Sequence, residues 1–193
     1  MSLSIPLRTA RLTLRDFAPN DFDSIHAYAS DPEVTRYMFY GPRTVADTHA
    51  YLERMLASQQ EEPRLIWELG AVVTADDRLV GACDLTLESA QEADLGFIFS
   101  QKVWGMGYAT EAARMLVRAG FEQLGLTRIF STCDVANNAS ARVLEKAGLQ
   151  REATLEQHKH ARGHWWTSFL YAVRREHWSP ESLTMPQPGN GRA

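Results

Sequence analysis

Apolar positions along this chain recur with two periods, and the switches between them divide it into strands and helices. Residues 11–15, Arg-Leu-Thr-Leu-Arg, alternate strictly and predict a first strand. Pro19-Asn20-Asp21 opens a helix whose apolar residues Phe22, Ile25 and Ala29 share a face, and Asp31-Pro32 ends it. After the Gly41-Pro42 turn, Thr44 with Asp47 has the form of a capping box for a helix reaching about Gln59, with Val45, Leu52, Met55 and Leu56 as its buried stripe. Three strands are then predicted over residues 65–74, 79–87 and 93–99, the first two joined by a tight turn at Asp76-Asp77. A long amphipathic helix follows, its stripe Ala109, Ala112, Ala113, Leu116, Val117, Gly120, Phe121 and Leu124 closed by Gly125. Residues 128–135 form a further strand, and a short helix capped by Asn137 or Asn138 runs to Ala147 and stops at Gly148. Two strands, over 149–157 and 165–173, complete the pattern. The order is β-αα-βββ-α-β-α-ββ, a mixed α/β (α+β) sheet flanked by helices.

Composition narrows the function classes. A chain of 193 residues, 45% apolar and 23% charged, suits one globular domain with a substantial core. Twenty basic against 24 acidic side chains give a net charge of −4 without a basic block, which argues against a nucleic-acid surface or an anionic membrane. Cys83 and Cys133 stand alone in apolar runs and lack metal-ligand spacing, as expected of buried small hydrophobes in a reducing compartment. With no apolar leader segment and no run near the ~18 residues of a membrane span, a cytoplasmic protein is expected. Beyond Trp178 the chain turns Ser-, Pro- and Gly-rich, so residues 179–193 are expected to form a disordered tail.

The junction between the strand ending at Phe99 and the long helix reads Gln101-Lys-Val-Trp-Gly-Met-Gly-Tyr-Ala-Thr-Glu. A Gly-x-Gly turn opening a helix leaves backbone N–H groups unpartnered at the positive end of the dipole, an anion site. The same turn also occurs for packing alone. The dinucleotide fingerprint is broken by Thr110, and the P-loop Gly-Lys-Ser/Thr is absent.

With its neighbours, however, this junction resembles the GCN5-related N-acetyltransferase (GNAT) superfamily, and within it the ribosomal-protein N-acetyltransferase (RimJ/RimL-like) branch. The resemblance spans residues 6–178 and rests on residues 9–15, on Asp31-Pro32-Glu33-Val34, on Trp104 to Ala112, and on Asn137 to Leu149. It implies one acetyltransferase domain over residues 1–178, acetyl-CoA as donor, no metal, and a GNAT fold whose fourth and fifth predicted strands splay apart. It further implies that the amides from Gly105 through Met106, Gly107 and Tyr108 to Ala109, with Trp104 and Thr110 flanking them, hold the CoA diphosphate. Pantetheine would lie in the splay against Phe97, Ile98 and Phe99, with Asn137 on its other side.

Amine acetylation requires a proton acceptor, a polarised thioester carbonyl and a stabilised leaving thiolate. Asp94 is the first candidate base: it shares a strand face with Gly96 and stands where the family usually has glutamate. Glu68 is the second; a solvated or ion-paired carboxylate is the plainer account of either. Carbonyl polarisation falls to a backbone N–H near Ile98 or Phe99. Ser140 matches the family's Asn-x-x-Ser serine and can donate to the thiolate, or else it bonds local backbone. Lys102 offers a point charge for a CoA phosphate, or is a surface lysine. Thr110 and Glu111 serve the helix start. His158, His160 and His164 read as solvated loop histidines rather than a metal set.

The expected acceptor is a primary amine, foremost a protein N-terminal α-amine. Thr167 stands where relatives of the branch carry aspartate, so the acceptor is the open point. An α-amine acceptor predicts an open groove between residues 36–42 and 158–166. A small-molecule amine predicts a closed pocket with acidic lining from Glu33, Glu68 or Asp94. A non-catalytic acyl-CoA-binding module is the alternative of another class. A monomer or homodimer is expected.

Overall fold

The computed structural model describes residues 2–179, so all but Ser179 of the expected tail lies outside the described residues. Eight strands form one sheet: β1 (Leu7–Arg8), β2 (Leu12–Arg15), β3 (Ile66–Val73), β4 (Leu79–Leu87), β5 (Glu92–Phe99), β6 (Arg128–Asp134), β7 (Gln150–Ala161) and β8 (His164–Arg174). Their order is β1-β2-β3-β4-β5-β6-β8-β7, antiparallel throughout except where β5 runs parallel to β6. The helices are α1 (Phe22–Ala29), α2 (Val45–Ser58), α3 (Tyr108–Glu122) and α4 (Asn138–Lys146). The predicted order is met, with β1 added; two residues are too few to carry a period.

The sheet separates two cores. Leu12, Leu14, Leu69, Leu85 and Leu95 pack against Leu116, Val117 and Phe121 of α3. Each such side chain contributes about 1.5–3 kcal/mol on burial. Gly120 allows close packing there: a Cβ would stand 2.8 Å from Ile129 Cδ1, and that side-chain end would have to shift. On the other face Ala82 and Ile98 meet Ile25, Tyr28, Tyr51, Leu52 and Met55 of α1 and α2.

Local chemistry sets the ends. Thr44 and Asp47 form the predicted capping box of α2. Val45 is a correction: it is 54% exposed, because the buried face of α2 runs through Thr48, Tyr51, Leu52 and Met55 and the first helical position lies off it. The last two strands are longer than predicted and meet at Arg162-Gly163, where both residues have positive φ. His158 and His160 therefore lie on β7 and His164 on β8, not on a loop as expected. Among the described residues no helix is long and apolar enough to cross a membrane.

The feature that positions the site is a parting of strands. β5 and β6 pair only through Glu92–Arg128, Ala93–Ile129 and Asp94–Phe130. Beyond Asp94, β5 keeps its partner β4 as far as Phe99, while β6 turns to pair with β8. The splay expected between the fourth and fifth predicted strands is this gap between β5 and β6.

Candidate active site

At the end of β5 a single 3-10 turn, Gln101–Val103, leads into the glycine turn. Gly105 has φ +79° and Gly107, the N-cap of α3, has φ +83°. Among the described residues no acceptor meets the N–H of Gly105, Gly107, Tyr108, Ala109 or Thr110; the first pairing is Glu111 N–H to Gly107 O at 3.0 Å. Five free donors in a concave turn at a helix origin suit an anion.

Arg11 braces this turn from outside. Its Nη1 donates to Met106 O at 2.9 Å, and its Nε and Nη2 reach the Glu111 carboxylate at 2.8 and 2.7 Å. Its guanidinium also lies 4.7 Å from the Tyr108 ring centre. Glu111 accepts further bonds from Thr9 Oγ1 at 2.6 Å and Arg11 N–H at 2.8 Å. Burial pushes the Glu111 pKa up, but the bonds from Thr9 and Arg11 outweigh it and hold it below its ordinary value. Glu111 thus does more than complement the helix dipole: it ties α3 to the turn before β2.

The turn opens onto a cleft of about 460 Å³. Phe97, Ile98 and Phe99 line it from β5; Trp104, Gly105 and Gly107 from the turn; Tyr108, Ala109 and Thr110 from α3; Asn137 and Ser140 from α4. These are the residues the resemblance assigned to CoA, brought together by the fold. Two others are not: Lys102 and Met106 are exposed and lie outside the cleft lining, Lys102 because it belongs to the 3-10 turn that precedes the glycines. Arg142 and Lys146, one helical turn apart on α4, line the cleft instead and were missed, since nothing in their spacing separates them from surface cations. Asn137 Oδ1 caps α4 by accepting from Ser140 N–H at 3.1 Å, leaving Nδ2 without a partner among the described residues. The Ser140 hydroxyl has none either, so it does not bond local backbone. Trp104 Nε1 donates to Phe99 O at 2.9 Å, taking up that carbonyl.

Glu68 and Asp94 lie on the other face of the sheet, towards α1 and α2, and outside the cleft lining. Asp94 is partly exposed; burial first, then the charge of Glu88, raises its pKa to about 6. Glu68 accepts a hydrogen bond from the Tyr51 hydroxyl, and burial raises its pKa. Directly across from Glu68 on β4 is Asp84, a carboxylate sequence reasoning missed. Burial first, then Glu68 and Asp94, hold its pKa well above the ordinary value. The signal was present: an aspartate inside the apolar run Gly81-Ala82-Cys83-Asp84-Leu85.

The loop after α1, which lines the cleft through residues 33–38, meets the β7–β8 hairpin. Arg162 Nη1 donates to the carbonyls of Thr35, Arg36 and Met38 at 3.3, 3.3 and 3.4 Å. Phe39 packs edge-on against His158 and Trp166, with centroids 6.1 and 5.5 Å away. Trp166 is buried while Trp165 is 58% exposed. Thr167 Oγ1 accepts from Gln157 N–H at 3.1 Å across the bulge in β7.

The profile of the acetyltransferase (GNAT) domain matches residues 11–150. The chain belongs to the GNAT acetyltransferase family. It is 28% identical over 174 residues to the uncharacterized N-acetyltransferase YnaD of Bacillus subtilis, covering 90% of this chain and 99% of that protein. The GNAT-family acetyltransferase structure from Bacillus anthracis is 28% identical and superposes with a TM-score of 0.80, covering 88% and 98% of the two chains. The ribosomal-protein-S5-alanine acetyltransferase of Vibrio fischeri, at 16% identity and TM-score 0.77 over 92% and 100%, shares the fold. This GNAT protein is therefore an N-acetyltransferase that uses acetyl-CoA. The free amides of the glycine turn fit that cofactor, whose diphosphate needs donors and no side chain in the way.

Proposed function

We propose that this N-acetyltransferase acetylates a compact primary amine, by direct attack on acetyl-CoA within one ternary complex. The observation that carries the reading is the meeting of three features at the parted edges of β5 and β6. The amide-rich turn lies at one end, the Ser140 hydroxyl lines the α4 side, and the carboxylates Glu68, Asp84 and Asp94 stand on the opposite face.

Acetyl-CoA, when bound, supplies an acyl group activated as a thioester. In this reading the amides of residues 105–110 hold its diphosphate, and Arg142 and Lys146 add positive charge. The unpaired edge of residues 95–99 orients the pantetheine arm, with Asn137 Nδ2 opposite. Ser140 Oγ donates to the departing sulfur, and a carboxylate on the far face takes a proton from the ammonium. No side chain needs to carry the acyl group, because an amine held in line attacks a thioester directly.

The narrower resemblance to the RimJ/RimL-like branch carries with it a protein N-terminal α-amine as acceptor. A cavity of about 420 Å³ remains between Arg36–Tyr37 and Arg162–Trp166, and a smaller acceptor is supported by the Arg162 bridge and the Phe39 contacts, which bound that cavity on one side. A free-thiol release assay with acetyl-CoA tests both levels. Spermidine, an aminoglycoside and free amino acids are run against peptides with free N-termini. Turnover confined to the peptides would refute the compact acceptor; no thiol release with any amine would leave only a cofactor-binding module.

A further inference from the structure

We infer that Asp84 is the catalytic base that takes the proton from the acceptor ammonium, with Glu68 beside it as a positioning residue; this rests on the acyl-transfer reading above. The sequence points to Asp94, but the register points elsewhere. Asp94 stands opposite Phe130, where β5 and β6 are still joined. Asp84 pairs with Gly96, two residues further along β5, where β6 has already left. A Cβ on Gly96 would collide with Asp84 Oδ1, so the carboxylate lies over β5 in the space the glycine leaves, beside the point where β6 parts. Gly96 is thus the window between a β4 carboxylate and the thioester position. A side chain there would close it.

The surroundings of Asp84 are built for a cation that is not part of the protein. Glu68 faces it from β3 and Asp94 flanks it on β5, while Thr86 Oγ1 donates to Asp84 Oδ2 at 3.2 Å. From α1 comes Tyr28, 97% buried, whose hydroxyl has no partner among the described residues and whose charged neighbours include Glu68 and Arg43. From the following loop come Tyr40 and Arg43, and from α2 Tyr51 and Arg54. Arg43 lies 3.8 Å from the Tyr51 ring centre and 4.8 Å from that of Tyr40, and it forms no ion pair among the described residues. Arg43 and Arg54, both over the Tyr51 ring, act on Glu68, whereas Asp84 lies between two carboxylates with no ion pair among the described residues, which leaves room there for one more positive charge. Asp84 keeps a solvent window despite being crowded on nearly every side, as a base that must meet its substrate requires.

The step balances. One proton passes from R–NH3+ to the Asp84 carboxylate, and the freed nitrogen lone pair forms the N–C bond. The C–S bond breaks with its electron pair on sulfur, and the proton nitrogen then sheds neutralises that thiolate. Burial first, and then the Glu68 charge, hold Asp84 basic enough for the first transfer.

The test compares Asp84→Asn, Asp94→Asn and Glu68→Gln, using whichever amine of the panel the unmodified enzyme acetylates. Asp84→Asn should lower kcat about a hundredfold, the scale of a lost general base, abolish the acid limb of the rate–pH profile, and leave acetyl-CoA affinity unchanged. Asp94→Asn should stay within about threefold, and Glu68→Gln should move the acid limb to lower pH. Independently of turnover, 13C carboxyl titration of the free protein should place Asp84 above the ordinary carboxylate range, and Glu68→Gln should bring it down. Loss of the acid limb in Asp94→Asn alone, or an Asp84 carboxyl titrating in the ordinary carboxylate range, overturns the inference while leaving acetyl transfer intact. Failure of the unmodified enzyme to release thiol with any amine overturns the transfer reading itself.

Discussion

Gly105→Ala separates the cost of a strained turn from the loss of an anion site. At φ +79° an alanine is disfavoured by about 1–2 kcal/mol. A Cβ at this position meets nothing within 4 Å, so no steric penalty adds to that cost in the free protein. For a domain of this size, a loss of about 1–2 kcal/mol lowers Tm by roughly 2–8 °C. Affinity should change by far more. The added methyl stands in open space on a residue that lines the cleft, where a diphosphate held by the turn would meet it. If two charge-assisted hydrogen bonds worth about 1.5–3 kcal/mol each are lost, the total is about 3–6 kcal/mol. At about 1.4 kcal/mol per decade, that weakens CoA binding at least a hundredfold. Calorimetric titration with CoA, beside a thermal melt, measures both. A melt lowered as stated with an unaltered Kd for CoA would refute the diphosphate assignment, since the strain would be present without the ligand it makes way for.

Glu111→Gln should loosen the same turn without touching the cleft: Tm falls by several degrees at neutral pH and CoA binds roughly tenfold more weakly, as one to two kcal/mol of charged hydrogen bonding is lost. Because the folded Glu111 pKa lies below its unfolded value, this stabilisation is complete above the ordinary glutamate range and fades as pH falls through the folded pKa. Melts of the two proteins should therefore converge in acid, and a constant gap down to about pH 3 would contradict the ion-pair account. Ser140→Ala should lower kcat tenfold or more with CoA affinity within twofold, measured by thiol release and calorimetry; unchanged turnover removes the hydroxyl from the reaction. Asp94, with its pKa raised from 3.8 to about 6, costs stability as pH rises through that window. Asp94→Asn should accordingly melt higher than the parent at pH 7.5 but not at pH 4, and equal melts at both would show that the carboxyl is not desolvated.

Periodicity and punctuation in the sequence determined most of the local structure, because both are properties of neighbouring residues. The alternation at Leu12 and Leu14, the capping box at Thr44 and the stripe from Ala112 to Phe121 each declare an element and the face it buries. The Gly105–Gly107 turn was legible for the same reason, since a positive φ restricts residue choice on the spot. What the chain order alone left undecided are the meetings across the sheet. Arg11 reaching Met106 and Glu111, and Arg162 bridging to residues 35–38, join segments distant in sequence, and no local pattern encodes them. The carboxylate row is the sharpest instance. Asp84 went unread in the sequence, and only strand register sets it between Glu68 and Gly96, beside the place where two strands part. Register and burial, which raise its pKa, exist only once the strands are paired. Tertiary structure therefore decided which acids share one face beside the parted strands, whereas the sequence had already determined that a Gly-x-Gly turn opens a helix.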